Sequence, residues 1–413
     1  MSRTSRETSS QDRPSRLGWI NRSVVGIVLA TFFSDVSHEM CTAVLPLYLT
    51  SIGLGPAALG VIEGVADLLK SLSKLGGGIL GHYVKRKKPW ASVGYLVTSL
   101  STGGMGLVSS VAGLVSLRSL AWISRGFRSP LRDYLLADAV EKTHYGRAYG
   151  LERAGDMLGA VSGPLLATLL VWCGIQFRTV ILWTFVPGVA AAAFLFFLTR
   201  ERSTTTAASP ESDEPKVRRR FPKIFWLFLV GVLLFGLGDF SRTFLIWLAA
   251  RPLGETASAP GTLSIAALLY ALHNLVSAAA AYPVGWLGDR RSKLPVLIAG
   301  YGLGVLTNLL LALYWTSLAW LTIAIIFSGI YIAIEETLEK AVAAEWLPRE
   351  LRSLGFGILA CTNAVGDMAS SLYVGLLLQR GASEYAFGIA VAAGAVGVVW
   401  MLGLILSQRL PSE

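Results

Sequence analysis

Residues 285–293 read Gly285-Trp286-Leu287-Gly288-Asp289-Arg290-Arg291-Ser292-Lys293, and 207 positions earlier a looser copy begins, Gly78-Ile79-Leu80-Gly81-His82-Tyr83-Val84-Lys85-Arg86-Lys87. At that offset Gly78, Leu80 and Gly81 match Gly285, Leu287 and Gly288, and Arg86 matches Lys293. The same offset pairs Gly150 with Gly357 and Gly159 with Gly366, and an offset of 204 aligns Asp35-x-Ser37 with Asp239-x-Ser241. One glycine match carries little. A shared offset across distant segments marks an internal duplication, so the chain consists of two related halves.

Each copy joins two long apolar stretches. Crossing a hydrocarbon core of about 30 Å takes roughly 20 mostly apolar residues. Twelve stretches reach that length: 22–49, 56–82, 90–109, 113–140, 148–172, 178–199, 223–250, 261–288, 294–315, 317–343, 353–378 and 385–407. Several are long enough to imply tilt or extension beyond the membrane. The runs are continuous rather than alternating, which excludes a β-barrel. The longest polar stretch, 200–222, is rich in Ser, Thr, Pro and charge and reads as a flexible linker. The expected fold is an all-α integral membrane protein with twelve transmembrane helices in two pseudo-symmetric six-helix bundles. Its parts are a tail (1–21), a bundle (22–199), the linker (200–222), a second bundle (223–407) and a second tail (408–413). Parallel repeats of this kind belong to transporter architectures.

Composition agrees. Of 413 residues 53% are hydrophobic and 15% charged, against roughly 25% charged in soluble chains. So little charge would leave too much apolar surface in water, which excludes a cytosolic enzyme, a disordered chain and a nucleic-acid-binding domain. The net charge of +10 is explained by location, because 24 of the 36 Lys and Arg residues fall in segments on one side of the membrane. Only Arg178, Arg251 and Arg380 fall on the other. The positive-inside rule then places both termini in the cytoplasm. Cys41, Cys173 and Cys361 are scattered and form no disulfide framework or paired metal motif. The first 22 residues have no apolar core and are not a cleavable signal peptide.

The remaining charges lie inside the apolar stretches, where an ionisable group is expensive and marks function or pairing. In helix 1, Asp35, His38 and Glu39 share one face. Helix 7 carries Asp239 and Arg242, and helix 11 carries Asn363 and Asp367. Helix 4 presents a stripe of Arg118, Trp122, Arg125, Ser129 and Arg132, with Arg128 just before the kinking Pro130. Arg128 and Arg132 lie near enough to the interface to snorkel. Glu63, Asp67, Lys70 and Lys74 in helix 2 share one face, two acids followed by two bases, and read as mutually neutralising. His273-Asn274 in helix 8 reads more simply as a core pair than as a site.

The repeat offset carries Arg128 onto Glu335, Arg132 onto Glu339 and Asp133 onto Lys340, so equivalent positions hold opposite charges. Together with Glu336, Asp289 and Arg290 these are inner-gate candidates. Salt bridges between the halves, such as Arg132 with Glu339, are expected when that end closes. Asp35 and His38, followed by Glu39, Met40 and Cys41, also form a donor set that would suit a divalent metal if other helices supplied further ligands. No phosphate loop or catalytic triad is present, so an enzyme or ATP-driven pump is not expected.

The Gly285–Lys293 segment resembles the loop signature of the major facilitator superfamily, and the resemblance extends over nearly the whole chain. The blocks SDVSHEM (34–40), RSPLRDYLLAD (128–138), ERAGDMLGAVSGPLL (152–166) and EKAVAAEWLPRELR (339–352) look like a bacterial subgroup of uncharacterised carriers. The resemblance implies that helices 1, 4, 7 and 10 line a central cavity. His82 departs from the pattern, which usually has Asp there, in the loop of the first-half gate. Gly159-x-x-x-Gly163-Pro164 resembles the Gly-Pro signature of proton-driven antiporters, with Ala167-Thr168 where glycines are preferred. The expected protein is a monomeric secondary transporter of the bacterial inner membrane, with a small-molecule or ion substrate and no nucleic-acid partner. It exports its solute by alternating access, without a bound cofactor and with the proton gradient as drive. Asp35, Glu39, Asp239 and Asp367 are the proton candidates. One alternative is a divalent metal or iron-related carrier centred on Asp35 and His38. Another is a non-transporting membrane sensor or assembly scaffold, which has no reason to bear so many acids and bases in its cavity helices.

Overall fold

The structure, a computed structural model, describes residues 18–53, 56–201, 220–240, 260–314 and 317–409. Arg242, most of the 200–222 linker and the outer parts of both tails lie outside the described residues. Twelve helices follow in order among those described. They are α1 (Arg22–Ser51), α2 (Pro56–Tyr83), α3 (Lys88–Gly104), α4 (Val111–Ala139), α5 (Tyr145–Trp172) and α6 (Phe177–Leu198). After the linker come α7 (Lys223–Gly236), α8 (Pro260–Arg290), α9 (Lys293–Tyr314), α10 (Leu318–Trp346), α11 (Arg352–Gln379) and α12 (Ser383–Arg409). Six of the described helices are long and apolar enough to cross a membrane by those criteria alone.

Two helices depart from the expected continuous spans. α6 is broken at Thr184 into Phe177–Trp183 and Phe185–Leu198. In an apolar medium a broken helix must find partners for the carbonyls it frees. Here the Ser37 hydroxyl donates to Thr184 O at 2.7 Å and the Ser99 hydroxyl to Phe185 O at 3.2 Å. Of the span expected over 223–250, the residues to 240 are described, and in them the helix ends at Gly236, where two glycines bracket Leu237. Tyr373 Oη donates to Leu237 O at 2.9 Å, Asn308 Nδ2 to Gly238 O at 2.8 Å and Ser370 Oγ to Asp239 O at 2.8 Å. Asp239 therefore stands on unwound backbone, whereas its repeat counterpart Asp35 lies within a continuous helix.

Small residues decide which helices touch. Gly155, Gly159 and Gly163 recur every fourth residue along α5. A methyl group on any of them would press into α1, at Val28, Phe32 and Glu39 respectively. The result is a close α1–α5 seam that fixes the height of Asp35 and Glu39.

The same logic joins the halves. A Cβ on Gly78 of α2 would lie 2.9 Å from the Gly357 Cα of α11, and the reverse holds equally. Gly146 of α5 and Gly285 of α8 likewise block one another's space, and Gly150 abuts the Ala281 backbone. The halves thus meet crosswise, α2 on α11 and α5 on α8.

Both crossings lie at the end of the molecule that holds the basic loops 84–87 and 291–292. A single apolar core there runs through both halves, from Tyr95, Leu131 and Tyr149 to Leu297, Tyr301 and Leu338. Toward the other end the core divides. One cluster around Met40, Leu45 and Ile181 belongs to the first half, and another around Leu321, Val374 and Phe387 to the second. Among the described residues the halves are joined at one end and have separate cores at the other. A Gly78→Leu variant should therefore oppose closure of the joined end by about 1–3 kcal/mol, enough to shift populations roughly 5- to 150-fold. Spin labels on Lys85→Cys and Arg291→Cys should then report a longer-distance population that the parent lacks.

Candidate functional site

Between the halves lies a cavity of about 370 Å³, reached by side chains of α1, α2, α4, α5, α8, α10 and α11 and by Asp239. Its two walls differ in charge. The first half contributes Lys70, Lys74, Arg125, Arg128, Arg132 and Arg153 along with five acids, whereas the second contributes Asp239, Glu335, Glu336, Glu339 and Asp367 with Lys340 as its only cation there among the described residues.

A chain of ion pairs crosses the first wall. Arg125 Nη2 pairs directly with Asp35 and lies 4.0 Å from Asp156. Arg153 donates to Asp156 at 2.5 Å and reaches over the divide to both oxygens of Glu336, at 2.6 and 2.9 Å. The sequence Asp35–Arg125–Asp156–Arg153–Glu336 therefore links α1, α4, α5 and α10. Trp122 sits amid cations, with Lys70 4.1 Å and Arg118 5.4 Å from its ring and the His38 ring against its edge at 4.4 Å. Its electron-rich face suits that position. On the second wall, Tyr331 Oη donates to Asp239 at 2.6 Å, and Glu339 accepts from Tyr301 and, at 2.6 Å, from Asn363 Nδ2.

Most of the expected binding residues come together. Asp35, His38, Glu39, Arg125, Asp239, Asn363 and Asp367 all line the cavity. Arg118 does not. It is buried behind Trp122, where its Nη2 donates to Thr42 at 3.1 Å. His273 likewise sits in the core, beside Ser328 at 3.1 Å. Among the described residues no group of three or more His, Cys, Asp or Glu side chains assembles as a metal site, and Asp35 is already held by Arg125.

The expected Arg132–Glu339 bridge is absent from this structure. Arg132 pairs with Asp133 at 2.8 Å and Glu152 at 2.9 Å, inside its own half, while Glu339 is satisfied by Tyr301 and Asn363 inside the other. Arg128, Arg132, Asp133, Glu335, Glu336, Glu339 and Lys340 line the cavity, and the contacts that close the end lie beyond them. There Arg349 meets Asp138 at 2.6 Å, and the Arg352 guanidinium lies 5.3 Å from the Tyr145 ring. The Asp289 carboxylate accepts from the backbone N–H groups of Gly146 at 2.8 Å and Arg147 at 2.9 Å, at the start of α5. A carboxylate is well placed at a helix N-terminus. Arg290 stacks on Trp286 of its own helix instead, 4.1 Å from the ring. His82, at the position equivalent to Asp289, meets the Glu350 carbonyl at 3.1 Å and the neighbouring Tyr83 ring. The two repeats thus fasten the end with unequal strength.

Arg153, Asp156 and Glu152 are cavity residues that sequence reasoning left unassigned. The i, i+3 spacing of Arg153 and Asp156 within the Gly-rich α5 face was the available signal. Across the divide, Arg153 and Glu336 do not occupy repeat-equivalent positions, so the offset could not pair them.

The family model described as Major Facilitator Superfamily matches residues 27–271 and 243–413. An uncharacterized MFS-type transporter of Methanocaldococcus jannaschii is 26% identical over 362 residues, covering 87% of this chain and 89% of that one. A probable 4-methylmuconolactone transporter of Cupriavidus pinatubonensis is 24% identical over 375 residues, covering 87% and 83%. A crystal structure of a bacterial homologue of the iron transporter ferroportin, in an outward-facing state, superposes with a TM-score of 0.71 at 15% identity, covering 94% of this chain and 99% of that one.

The Arg153–Glu336 contact makes a direct energetic test. Arg153→Gln and Glu336→Gln should each lower the melting temperature of the purified protein. The double variant should lose less than the sum, with a coupling of about 0.5–3 kcal/mol. Strict additivity would mean that the pair does not hold the halves together.

Proposed function

The chain belongs to the major facilitator superfamily, a family of transporters, and on that basis we propose that it exports a small solute by alternating access in exchange for protons. The observation that carries this reading is the one-ended core: among the described residues two six-helix halves enclose a charged cavity and share their large apolar core at the basic-loop end. Rocking about the cavity would break that packing and build its counterpart at the other end. The basic loops mark the joined end as cytoplasmic by the positive-inside rule, so the arrangement corresponds to an outward-facing carrier in a bacterial inner membrane. The protein works as a monomer, needs no resident cofactor and draws its drive from the proton gradient.

Coupling to protons is supported by the ion-pair chain. A proton arriving on Asp35 or Asp156 removes one negative charge from a row in which Arg125 and Arg153 share acceptors. The pairing must then redistribute, and its last member is the Arg153–Glu336 link that joins the halves. By linkage, whatever proton binding does to that link, closing or opening the link does to proton binding. Export is supported by the Gly159-x-x-x-Gly163-Pro164 run, which packs against Asp35 and Glu39, the acids named as proton candidates.

In proteoliposomes carrying a pH-sensitive dye, adding the transported solute should move protons in the opposite direction. Asp35→Asn should abolish that movement and cut gradient-driven flux roughly tenfold or more, as loss of a positioned proton carrier does, while solute–solute exchange continues. Solute flux indifferent to the pH gradient would overturn the coupling.

A further inference from the structure

Two buried charges of the cavity, one from each half, meet no opposite charge among the described residues. Arg128 of α4 is 4% exposed; its Nη2 donates to Ser34 Oγ at 2.6 Å and its guanidinium stacks 3.4 Å from the Tyr95 ring centroid. Its Nε and Nη1 have no acceptor among the described residues. Glu335 of α10 is 6% exposed, and no cation or hydrogen-bond donor among the described residues meets its carboxylate. Neighbouring charges are satisfied: Arg132 holds Glu152, Arg153 holds Glu336, and Tyr301 with Asn363 holds Glu339. Arg128 and Glu335 occupy equivalent positions of the two repeats, so one cavity receives them from opposite halves.

A buried charge without a counter-charge is costly, and here one of each sign faces a shared space. We propose that the substrate is a small organic zwitterion, with its carboxylate on Arg128 and its ammonium group on Glu335. This inference deepens the transport reading and rests on it. A guanidinium offers paired donors that match a carboxylate, and stacking on Tyr95 holds its plane. Asp239, steadied by Tyr331, adds a second acid to the wall that receives the ammonium group. A cavity of about 370 Å³ admits a solute of amino-acid size, near the lower end of ligand sites. A singly charged solute satisfies one wall and leaves the other charge unmatched. A zwitterion satisfies both and bridges the two halves that alternating access must move together.

The test uses the purified full-length protein and thermal unfolding. The zwitterions are glycine, alanine, leucine, β-alanine and 4-aminobutyrate; the controls are propionate, butyrate, propylamine and butylamine. At least one zwitterion should stabilise the protein at concentrations roughly tenfold or more below any control, as expected when a ligand leaves a buried polar partner unmatched. Arg128→Gln and Glu335→Gln should each erase that preference, and the exchange Arg128→Glu with Glu335→Arg should recover part of it. Glu335→Gln breaks no ion pair or hydrogen bond among the described residues and carries the test if Arg128→Gln does not fold. A singly charged control that stabilises as well as every zwitterion overturns the proposal, as does a preference that survives Glu335→Gln. Dye-reported proton movement separates the two readings. Zwitterion binding without proton movement defeats the coupling and leaves the substrate class, whereas proton movement driven by a control, without zwitterion binding, does the reverse.

Discussion

The cavity depends on two helix crossings, α2 on α11 and α5 on α8, where backbones approach closely because glycine leaves no side chain between them. Gly78 against Gly357 and Gly146 against Gly285 bring the halves together at the basic-loop end. Around these contacts one apolar core forms through both halves, and beyond them each half keeps its own. The space between the two separate cores is where charged side chains can collect. Larger residues at the crossings would hold the halves apart, and no sealed floor would exist beneath the cavity.

That floor lets the charges interact strongly. Away from bulk water, ion pairs are little screened, and an unmatched group carries its full desolvation cost. Most of the charges answer this by pairing within their own half, as Arg132 does with Glu152 and Glu339 does with Tyr301 and Asn363. Arg153 answers it by reaching Glu336 across the divide. Stability and conformational state are therefore tied to the same contact. The closing end is fastened asymmetrically, since Asp289 takes two backbone N–H groups where His82 takes one carbonyl. The half bearing Asp289 supplies the firmer latch.

Much of this was legible in the sequence. The duplication, the apolar stretches and the cavity positions of Asp35, His38, Glu39, Arg125, Asp239, Asn363 and Asp367 follow from periodicity, offset and resemblance. The break after Gly236 was hidden because hydropathy does not register a carbonyl captured by Tyr373 or Asn308, residues far along the chain. The expected pairing of Arg132 with Glu339 is missing for a geometric reason, whereas Asp289 and Glu336, also expected at the gate, do reach the opposite half. Repeat-equivalent residues such as Arg132 and Glu339 sit on opposite walls, each packed within its own bundle. Contact across the divide requires non-equivalent positions, as in Asp138 with Arg349 or Arg153 with Glu336. An internal offset finds symmetry partners, and these are seldom contact partners.

In the proposed cycle one charged cavity, closed at the basic-loop end here, is exposed alternately to the two sides. A cysteine at Ser129, which lines the cavity, in a background lacking Cys41, Cys173 and Cys361, would report access to a membrane-impermeant thiol reagent in right-side-out and inverted vesicles. The account predicts labelling from the outer face in the parent, and added labelling from the basic-loop face when Gly78→Leu opposes closure. Labelling from the same single face in both proteins would contradict it.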